Sequence, residues 1–334
     1  MSAPVAIAIV THDSAADLPS CLAALAALEP LPAELAIVDC ASADRSVEAA
    51  RAAAPAAIPT RILPLAENLG FAGGMNRALA ATEAPFVLTL NADAVPRPDA
   101  VAHLLARLEA PAPYRLAAAT GRLVRPDLPG APGAPAALDA CGMRLAWSWR
   151  HFDRASGEPD RGQLARPERV FGATGAATLW RRRALDDVAL AGQVFDERFH
   201  SFREDAELCF RLRERGWEIV YEPAALVTHR RRVLPERRAA LPAAVNFHSL
   251  KNRYLLRLDH QTAGNFVWTL PATLTRDLAA LAWVLLRERS SLPAYAWLWR
   301  HRHALWAHRR AVQGRRTVPP RAVGRWFLTR GEPL

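Results

Sequence analysis

Phe86-Val-Leu-Thr-Leu-Asn-Ala-Asp93 is the stretch that decides the fold. Phe86 to Leu90 is a short, nearly continuous apolar run, the pattern of a strand buried on both faces in a parallel sheet covered by helices. It ends in Asn91-Ala92-Asp93, and Pro96 and Pro98 are expected to stop any extension. The carboxyl ends of buried parallel strands are where open α/β sheets bind their ligands. A hard divalent cation held partly by substrate phosphates needs one or two protein carboxylates. Asp93 is therefore a candidate metal ligand. It is equally a candidate cap for a helix starting near Asp99, and the octapeptide leaves both open.

Upstream, three more strands are expected at Val5–Val10, Leu35–Val38 and Arg61–Leu65. Helices are expected between them, the first capped by Asp13 or Ser14 and the second ended by Pro55. Strands recurring about every 25 to 30 residues with helices between them mean βαβ units and a parallel sheet. Right-handed crossovers then place the strand ends on one edge. That edge carries Thr11, Asp13, Asp39, the segment Asn68 to Asn76, Asn91 and Asp93, a crevice of nucleotide size. In Glu67-Asn-Leu-Gly-Phe-Ala-Gly-Gly-Met-Asn76, Gly70, Gly73 and Gly74 allow close backbone approach. The helix that follows is expected to present free N–H groups to an anion. An ordinary turn is the competing reading.

Downstream, Leu128–Pro135 reads as a flexible surface loop, and Cys141–Trp149 as a strand with exposed aromatics. Phe171–Trp180 reads as a packed core strand, or one passing beneath a ligand. Arg203-Glu-Asp-Ala-Glu-Leu-Cys-Phe-Arg-Leu-Arg-Glu-Arg-Gly216 is a helix closed by Gly216. Asp205, Leu208, Cys209 and Leu212 share its inward face, while Glu207 and Arg211 can pair on another. The helix N-terminus favours an ionised Asp205, which suits a general base. Glu218–Tyr221 is a further strand, and Val227-Thr-His229 follows it. His229 taken alone is a structural histidine more often than a ligand.

The 334 residues are 51% hydrophobic and 23% charged, an ordinary globular balance. The net charge of +10 is uneven. From Arg230 onward there are 20 basic and 5 acidic residues, against 23 and 28 before it. An anionic surface should therefore meet the tail. Cys21, Cys40, Cys141 and Cys209 form no zinc or disulfide spacing and read as free thiols. The N-terminus carries no signal-peptide pattern. Pro271, Arg276 and Asp277 are expected to break the longest apolar stretch, Phe266–Leu286, so no spanning helix is expected.

Taken in chain order, these motifs resemble the inverting family-2 glycosyltransferases of GT-A fold, in particular their bacterial rhamnosyltransferase-like branch. The resemblance rests on Ile9-Val-Thr-His12, Val38-Asp39, the Glu67–Asn76 block, Leu90-Asn-Ala-Asp93, Glu204–Arg211 and His229. It covers about residues 4 to 230. It implies an α/β fold, a Rossmann-like, mostly parallel sheet flanked by helices, with a C-terminal basic helical extension. Residues 1–230 would form the catalytic domain, with a nucleotide-binding half to about 110 and an acceptor-binding half from about 111. Residues 231–334 would form the membrane-associating region. Thr11, Asp13 and Asp39 would line the nucleoside pocket, and Asn68, Gly70, Gly73, Asn76 and Asn91 the ribose and diphosphate. Asp93 and His229 would ligate Mg2+ or Mn2+. Asp205, helped by Glu204, would be the general base. Asn91, His12-Asp13, Cys40 and Met75 depart from the family's commoner residues at the base and ribose contacts.

The implied activity is metal-assisted single displacement from a dTDP- or UDP-sugar, dTDP-rhamnose favoured, to a hydroxyl of a lipid-linked glycan. Cell-surface polysaccharide would be the product, made at the cytoplasmic face of the inner membrane or in the cytoplasm. The Arg- and Trp-rich tail, for example Trp297–Trp306, reads as interfacial helices beside anionic lipid. Packing on the catalytic domain with a solvated basic face is the bland reading of the same residues, and no nucleic acid partner is expected. A catalytically silent nucleotide-sugar- or membrane-binding protein is the alternative to an enzyme.

Overall fold

The structure is a computed structural model, which describes residues 3–126, 136–231 and 242–334. Leu128–Pro135, expected as a surface loop, lies outside them. The first half runs β1 (Ala3–Thr11), α1 (Leu18–Ala26), β2 (Pro32–Asp39), α2 (Ser46–Ala53), β3 (Thr60–Pro64), α3 (Gly70–Ala80), β4 (Phe86–Asn91), β5 (Ala94–Pro96) and α4 (Ala100–Glu109). Then come β6 (Arg115–Arg125), β7 (Ala137–Ala140), the hairpin of β8 (Met143–Leu145) and β9 (His151–Asp153), β10 (Glu168–Val170), β11 (Ala177–Arg181), α5 (Arg182–Val188), α6 (Glu204–Glu214) and β12 (Trp217–His229). The tail forms α7 (Ala243–His260), α8 (Ala263–Leu286), α9 (Leu292–Arg300), α10 (Arg302–Gly314), α11 (Pro320–Gly324) and β13 (Glu332–Pro333).

The main sheet has the order β13-β10-β12-β6-β11-β4-β1-β2-β3. β3, β2, β1 and β4 are all parallel, as the spacing predicts. β11 enters antiparallel between β4 and β6, and β12 runs parallel to β6. One apolar core lies under α1, α2 and α4, the other under α3, α5, α6 and the tail. The mixed sheet with helices on both faces is the expected α/β architecture.

Several local expectations change. Pro96 does not stop the chain but sits in β5, whose edge pairs with β12 from Val227 to His229. This pairing brings Ala94, next to Asp93, opposite His229. Neither Asp13 nor Ser14 caps α1 with its side chain. The helix starts later, and the Asp13 carboxylate instead accepts from the Ala43 and Asp44 N–H groups. Trp149 is buried rather than exposed, stacked on Phe210. The α6 face carrying Glu207 and Arg211 is buried too, because the tail covers it. Pro271, Arg276 and Asp277 do not interrupt α8, which runs unbroken for 24 residues. A proline removes one donor, and both charges turn toward the protein: Arg276 donates to the Ser148 carbonyl, and Asp277 pairs with Arg253 and Arg257. All four cysteines are buried free thiols.

The tail is tied to α6 by buried charge. His260 lies with Nδ1 3.1 Å from Glu214 and Nε2 3.5 Å from Glu207, stacked on Phe210. Burial alone would depress its pKa, but the two carboxylates outweigh burial and raise it to about 9. Below about pH 6.5 both folded and unfolded chains hold the proton, so this stabilisation is fully present. It is lost as pH rises through about 9. At ~1.4 kcal/mol per pH unit the total is on the order of 3 kcal/mol. In calorimetry at pH 6 and pH 9.5, the stability gap between the protein and His260→Gln should shrink markedly at the higher pH. An unchanged gap would show that His260 is not charged in the fold.

Candidate active site

β4 and β12 end beside one another, and their ends carry the chemistry. Asp93 Oδ1 lies 3.3 Å from His229 Nε2, and Asn91 Nδ2 lies 3.3 Å from the same nitrogen. His229 Nδ1 donates to Asp139 Oδ2 at 2.7 Å. Asp139 in turn accepts from Arg125 and Arg231, at 2.7 and 3.1 Å. Burial works against charge on His229, yet its hydrogen bonds to Asp139 and Asp93 prevail and lift its pKa to about 9.

This arrangement fits a divalent cation. Ligand atoms sharing one octahedral ion at ~2.1 Å sit ~3 Å apart, close to the Asp93–His229 separation. A carboxylate behind the imidazole fixes its tautomer and leaves Nε2 as the ligand. Asp139 went unnoticed in the sequence. The only signal was a lone carboxylate in the otherwise apolar Ala137-Leu-Asp-Ala-Cys141.

A second group with metal-like spacing, Asp196, Asp259 and His308, does not fit. The Arg198 guanidinium already lies between the two carboxylates, at 2.5 and 2.7 Å, and 2.6 Å from His308. It is an ion-pair network joining α7 and α10 to the segment before α6.

The start of α6 projects Glu204 and Asp205 into the same cavity as Asp93 and His229, a space of about 1260 Å³. Asp205 accepts from the Ala206 and Gly175 N–H groups, at 2.7 and 3.3 Å. The helix start was expected to hold Asp205 readily ionised. Burial, followed by the nearby Asp153 charge, instead outweighs those bonds and raises its pKa to about 6. Glu204 is pushed well above the usual range, first by burial and then by Asp205. Glu204 therefore keeps its proton more tightly than its neighbour.

Glu204 and Asp205 follow a strained turn. His200, Phe202 and Arg203 have φ of 61°, 71° and 72°, a region non-glycine residues rarely adopt. Two elements hold it. On one side lies the glycine-rich block, whose first three N–H groups are not free for an anion. Gly70 donates to Asn68 Oδ1, Phe71 to Ser201 Oγ and Ala72 to the His200 carbonyl, at 2.8, 3.1 and 2.9 Å. Gly70 has φ +68° and lies so close to His200 that no Cβ would fit. On the other side Asn252 of α7, fully buried, places Nδ2 2.8 Å from the carbonyls of Phe199, Ser201 and Phe202.

The structure thus gathers Asn91, Asp93, Glu204, Asp205 and His229 around one cavity. Thr11 and Asp39 lie buried at the ends of β1 and β2, where Asp39 accepts from Ser42. Gly73 and Gly74 are inside α3 rather than in a turn, with Gly74 packed on Cys40 and Val10. Asn76 does not turn to a ligand: its amide bonds both the N–H and the carbonyl of Phe195, and Glu197. Of Phe171–Trp180, the β11 part is core and Thr174 to Ala176 line the cavity.

The glycosyl transferase family 2 model matches residues 6–188, more than half of the chain. The chain belongs to glycosyl transferase family 2. Its similarities lie in the rhamnosyltransferase-like branch that the motifs resemble. An N-acetylglucosaminyl-diphospho-decaprenol L-rhamnosyltransferase of Mycobacterium tuberculosis is 28% identical over 306 residues, 84% of this chain and 92% of the relative. Among solved structures, GalNAc-T7 with UDP, GalNAc and Mn2+ superposes with a TM-score of 0.59 at 14% identity, over 78% of this chain and 48% of that one. This chain thus spans about half the length of that structure. A mannosyltransferase from Pyrobaculum calidifontis, in complex with GDP-Man and Mn2+, gives 0.52 at 18% identity, over 98% and 88%. The structural likenesses concern the fold.

Asn252 touches no cavity-lining carboxylate, yet it holds the turn that carries two of them in this glycosyltransferase. Asn252→Ala should lower kcat at least tenfold with little change in KM for the donor, and Asn252→Asp should not restore it. A purely structural role would lower stability and leave the kcat of the folded fraction unchanged, which active-site titration would reveal.

Proposed function

We propose that this family-2 enzyme transfers a sugar, with inversion, from a nucleoside-diphosphate sugar to a hydroxyl of a lipid-linked glycan, using Asp205 as general base. The observation that carries the reading is that Asp93 with His229, and Asp205, open onto one cavity at the carboxyl edge of the sheet. The nucleotide-binding half is residues 1 to about 110, the acceptor half about 111–230, and 231–334 the membrane-associating part. Thr11, Asp13 and Asp39 serve the nucleoside. Asn68, Gly70 and Asn91 serve the sugar-diphosphate side, directly or by holding the turn. A relative named for a diphospho-decaprenol acceptor and L-rhamnose favours dTDP-rhamnose and a polyprenyl-linked acceptor.

Asp93 and His229 would hold Mg2+ or Mn2+, which supplies neutralisation of the charge developing on the leaving nucleoside diphosphate. Asp205 accepts the proton of the acceptor hydroxyl as its oxygen bonds to the anomeric carbon. The bond from that carbon to the diphosphate oxygen breaks on the opposite face. A base with pKa near 6 is ionised at neutral pH yet basic enough to take a proton. Protonated Glu204 beside it lowers the cost of burying the Asp205 charge. The silent-protein reading finds no use for such a buried, elevated carboxylate pair.

α8 supports a peripheral site at the membrane. Its inward stripe is small and polar, with Asn265, Thr269 and Thr273 buried. Its outward stripe is apolar: Val267, Leu274 and Leu278 are 72%, 52% and 59% exposed. A soluble helix has the opposite polarity, and an apolar patch of this kind marks a contact surface. Length and composition alone would also allow α8 to span a bilayer, but Arg276 and Asp277 anchor it to the body.

Asp205→Asn should abolish transfer while leaving the Mn2+-dependent thermal shift by dTDP- or UDP-sugar intact, and the wild-type rate should fall below about pH 6 as the base is protonated. Asp93→Ala should remove the metal dependence of that shift. Retained transfer in Asp205→Asn, or an equal shift with EDTA, would count against these roles. In flotation assays the protein should rise with anionic phosphatidylglycerol vesicles, and Leu274→Glu/Leu278→Glu should not. Equal flotation of both would remove α8 from membrane contact.

A further inference from the structure

The mechanism leaves one strongly charged part of the cavity without a task. Four guanidinium groups from four separate elements line its wall: Arg150 of the β8–β9 hairpin, Arg203 of the strained turn just before α6, Arg253 of α7 and Arg276 of α8. Arg203, Arg253 and Arg276 also line an adjoining recess of about 150 Å³ with Trp283 and Glu288. Arg253 is neutralised by Asp277. Arg276 donates to the neutral Ser148 carbonyl, and no carboxylate among the described residues forms an ion pair with it. Burial, then the charges of Arg253, Arg203 and Arg150, push the Arg276 pKa down to about 8. The ring of His151 feels the same cluster: burial first, then Arg203, Arg276 and Arg150, hold it well below its usual range. Four guanidinium groups lining one cavity give it a concentrated positive potential suited to an anion.

We infer that Arg150, Arg203, Arg253 and Arg276 form a binding site for the diphosphate of the lipid-linked acceptor. The inference deepens the proposed function and rests on it. Planar guanidinium forks suit phosphate oxygens, each giving paired, charge-assisted hydrogen bonds. A diphosphate is the anion whose charge matches several arginines at once. The position of the cluster selects the acceptor's diphosphate over the donor's. Arg276 stands on the inward face of the helix whose outward face is apolar, and Trp283 of that helix is both half exposed and part of the cavity wall. An isoprenoid chain lying along α8 would thus lead into the arginines. Arg203 is followed directly by Glu204 and Asp205, so a sugar attached to the bound diphosphate extends toward the base. The donor's diphosphate belongs at Asp93 and His229, and its binding there needs a metal ion.

The test is calorimetric titration of full-length protein with geranyl diphosphate in EDTA, which leaves the metal-dependent site inactive. Saturable one-site binding is expected, with geraniol at least tenfold weaker. Arg150→Gln/Arg276→Gln should weaken geranyl diphosphate binding at least tenfold and leave the Mn2+-dependent shift by nucleotide sugar unchanged. Asp93→Ala should bind geranyl diphosphate as the wild type does. Absent binding, equal binding of geraniol, or a double variant indistinguishable from wild type would overturn the inference. Loss of binding in Asp93→Ala would also overturn it, by returning the diphosphate to the donor site. Should the double variant fail to fold, Arg276→Gln alone is titrated, with Arg276→Lys expected to recover part of the affinity; equal affinity in wild type and Arg276→Gln overturns the assignment. A nucleotide-sugar shift without geranyl diphosphate binding rejects this site alone, whereas no shift with any nucleotide sugar rejects the underlying reading.

Discussion

The carboxyl pair in the cavity depends on a turn that the backbone resists. Residues 200 to 203 hold three left-handed, non-glycine conformations, each costing on the order of 1 kcal/mol or more. They persist because both sides are over-determined. The N-terminal amides of α3 grip His200 and Ser201, and the Asn252 amide gathers three carbonyls on the opposite side. Buried carbonyls without partners would each cost about 1–3 kcal/mol, so this single side chain offsets much of the strain. The strain in turn fixes the direction in which α6 starts, and hence where Glu204 and Asp205 point. The tail is therefore part of the active-site scaffold, and a reading that separates residues 231–334 as a mere membrane arm misses its nearer effect.

The charges around the cavity follow one rule: each buried ion is balanced, except where chemistry uses the imbalance. Asp139 is held well below the usual carboxylate range despite its burial, by His229, Arg231 and Arg125. It can stay ionised behind the imidazole while a cation binds in front. Among the described residues, Asp205 and Glu204 have no such cationic partner at hydrogen-bonding distance. Burial raises both, helped by the Asp153 charge at Asp205 and by the Asp205 charge at Glu204, and the pair separates into a more acidic member bonded to two N–H groups and a less acidic one. On the proposed mechanism, environment rather than residue type makes one of two adjacent carboxyls the base and the other a proton holder.

The sheet and the strand-end residues were legible because they rest on local patterns. The apolar runs at Val5, Leu35 and Phe86, and the Asp93 that follows one of them, are visible without any tertiary contact, whereas His229 alone read as structural and drew attention only through the family resemblance. The glycine block was legible as important, but that its first three N–H groups are already bonded was not. Its Phe71 and Ala72 N–H groups are satisfied by Ser201 and His200, about 130 positions away, and no spacing rule reports a bond of that range. The bonds of Asn76 to Phe195, 119 positions distant, were invisible for the same reason. Asp139 lay hidden in a stretch with weak periodicity. Pro271 and two charges made α8 look interrupted, because a hydropathy reading does not tell a charge facing the protein from one facing lipid.

α8 shows how one helix serves three environments. Its polar stripe faces the protein, where Thr269 and Thr273 bond carbonyls of the preceding turn and Trp149 donates to Thr269. Its arginine faces an aqueous cavity crowded with like charge, and its leucines face outward. Were the outward face meant for water, leucine at 274 and 278 would be unfavourable by roughly 25 cal/mol for each Å² left exposed. Were the helix meant to cross a bilayer, Arg276 and Asp277 would have to leave their protein partners or be buried in hydrocarbon. A position at the bilayer surface satisfies all three faces at once. On the proposed function, that position would let an acceptor with an isoprenoid chain keep the chain in lipid while its polar head reaches Asp205.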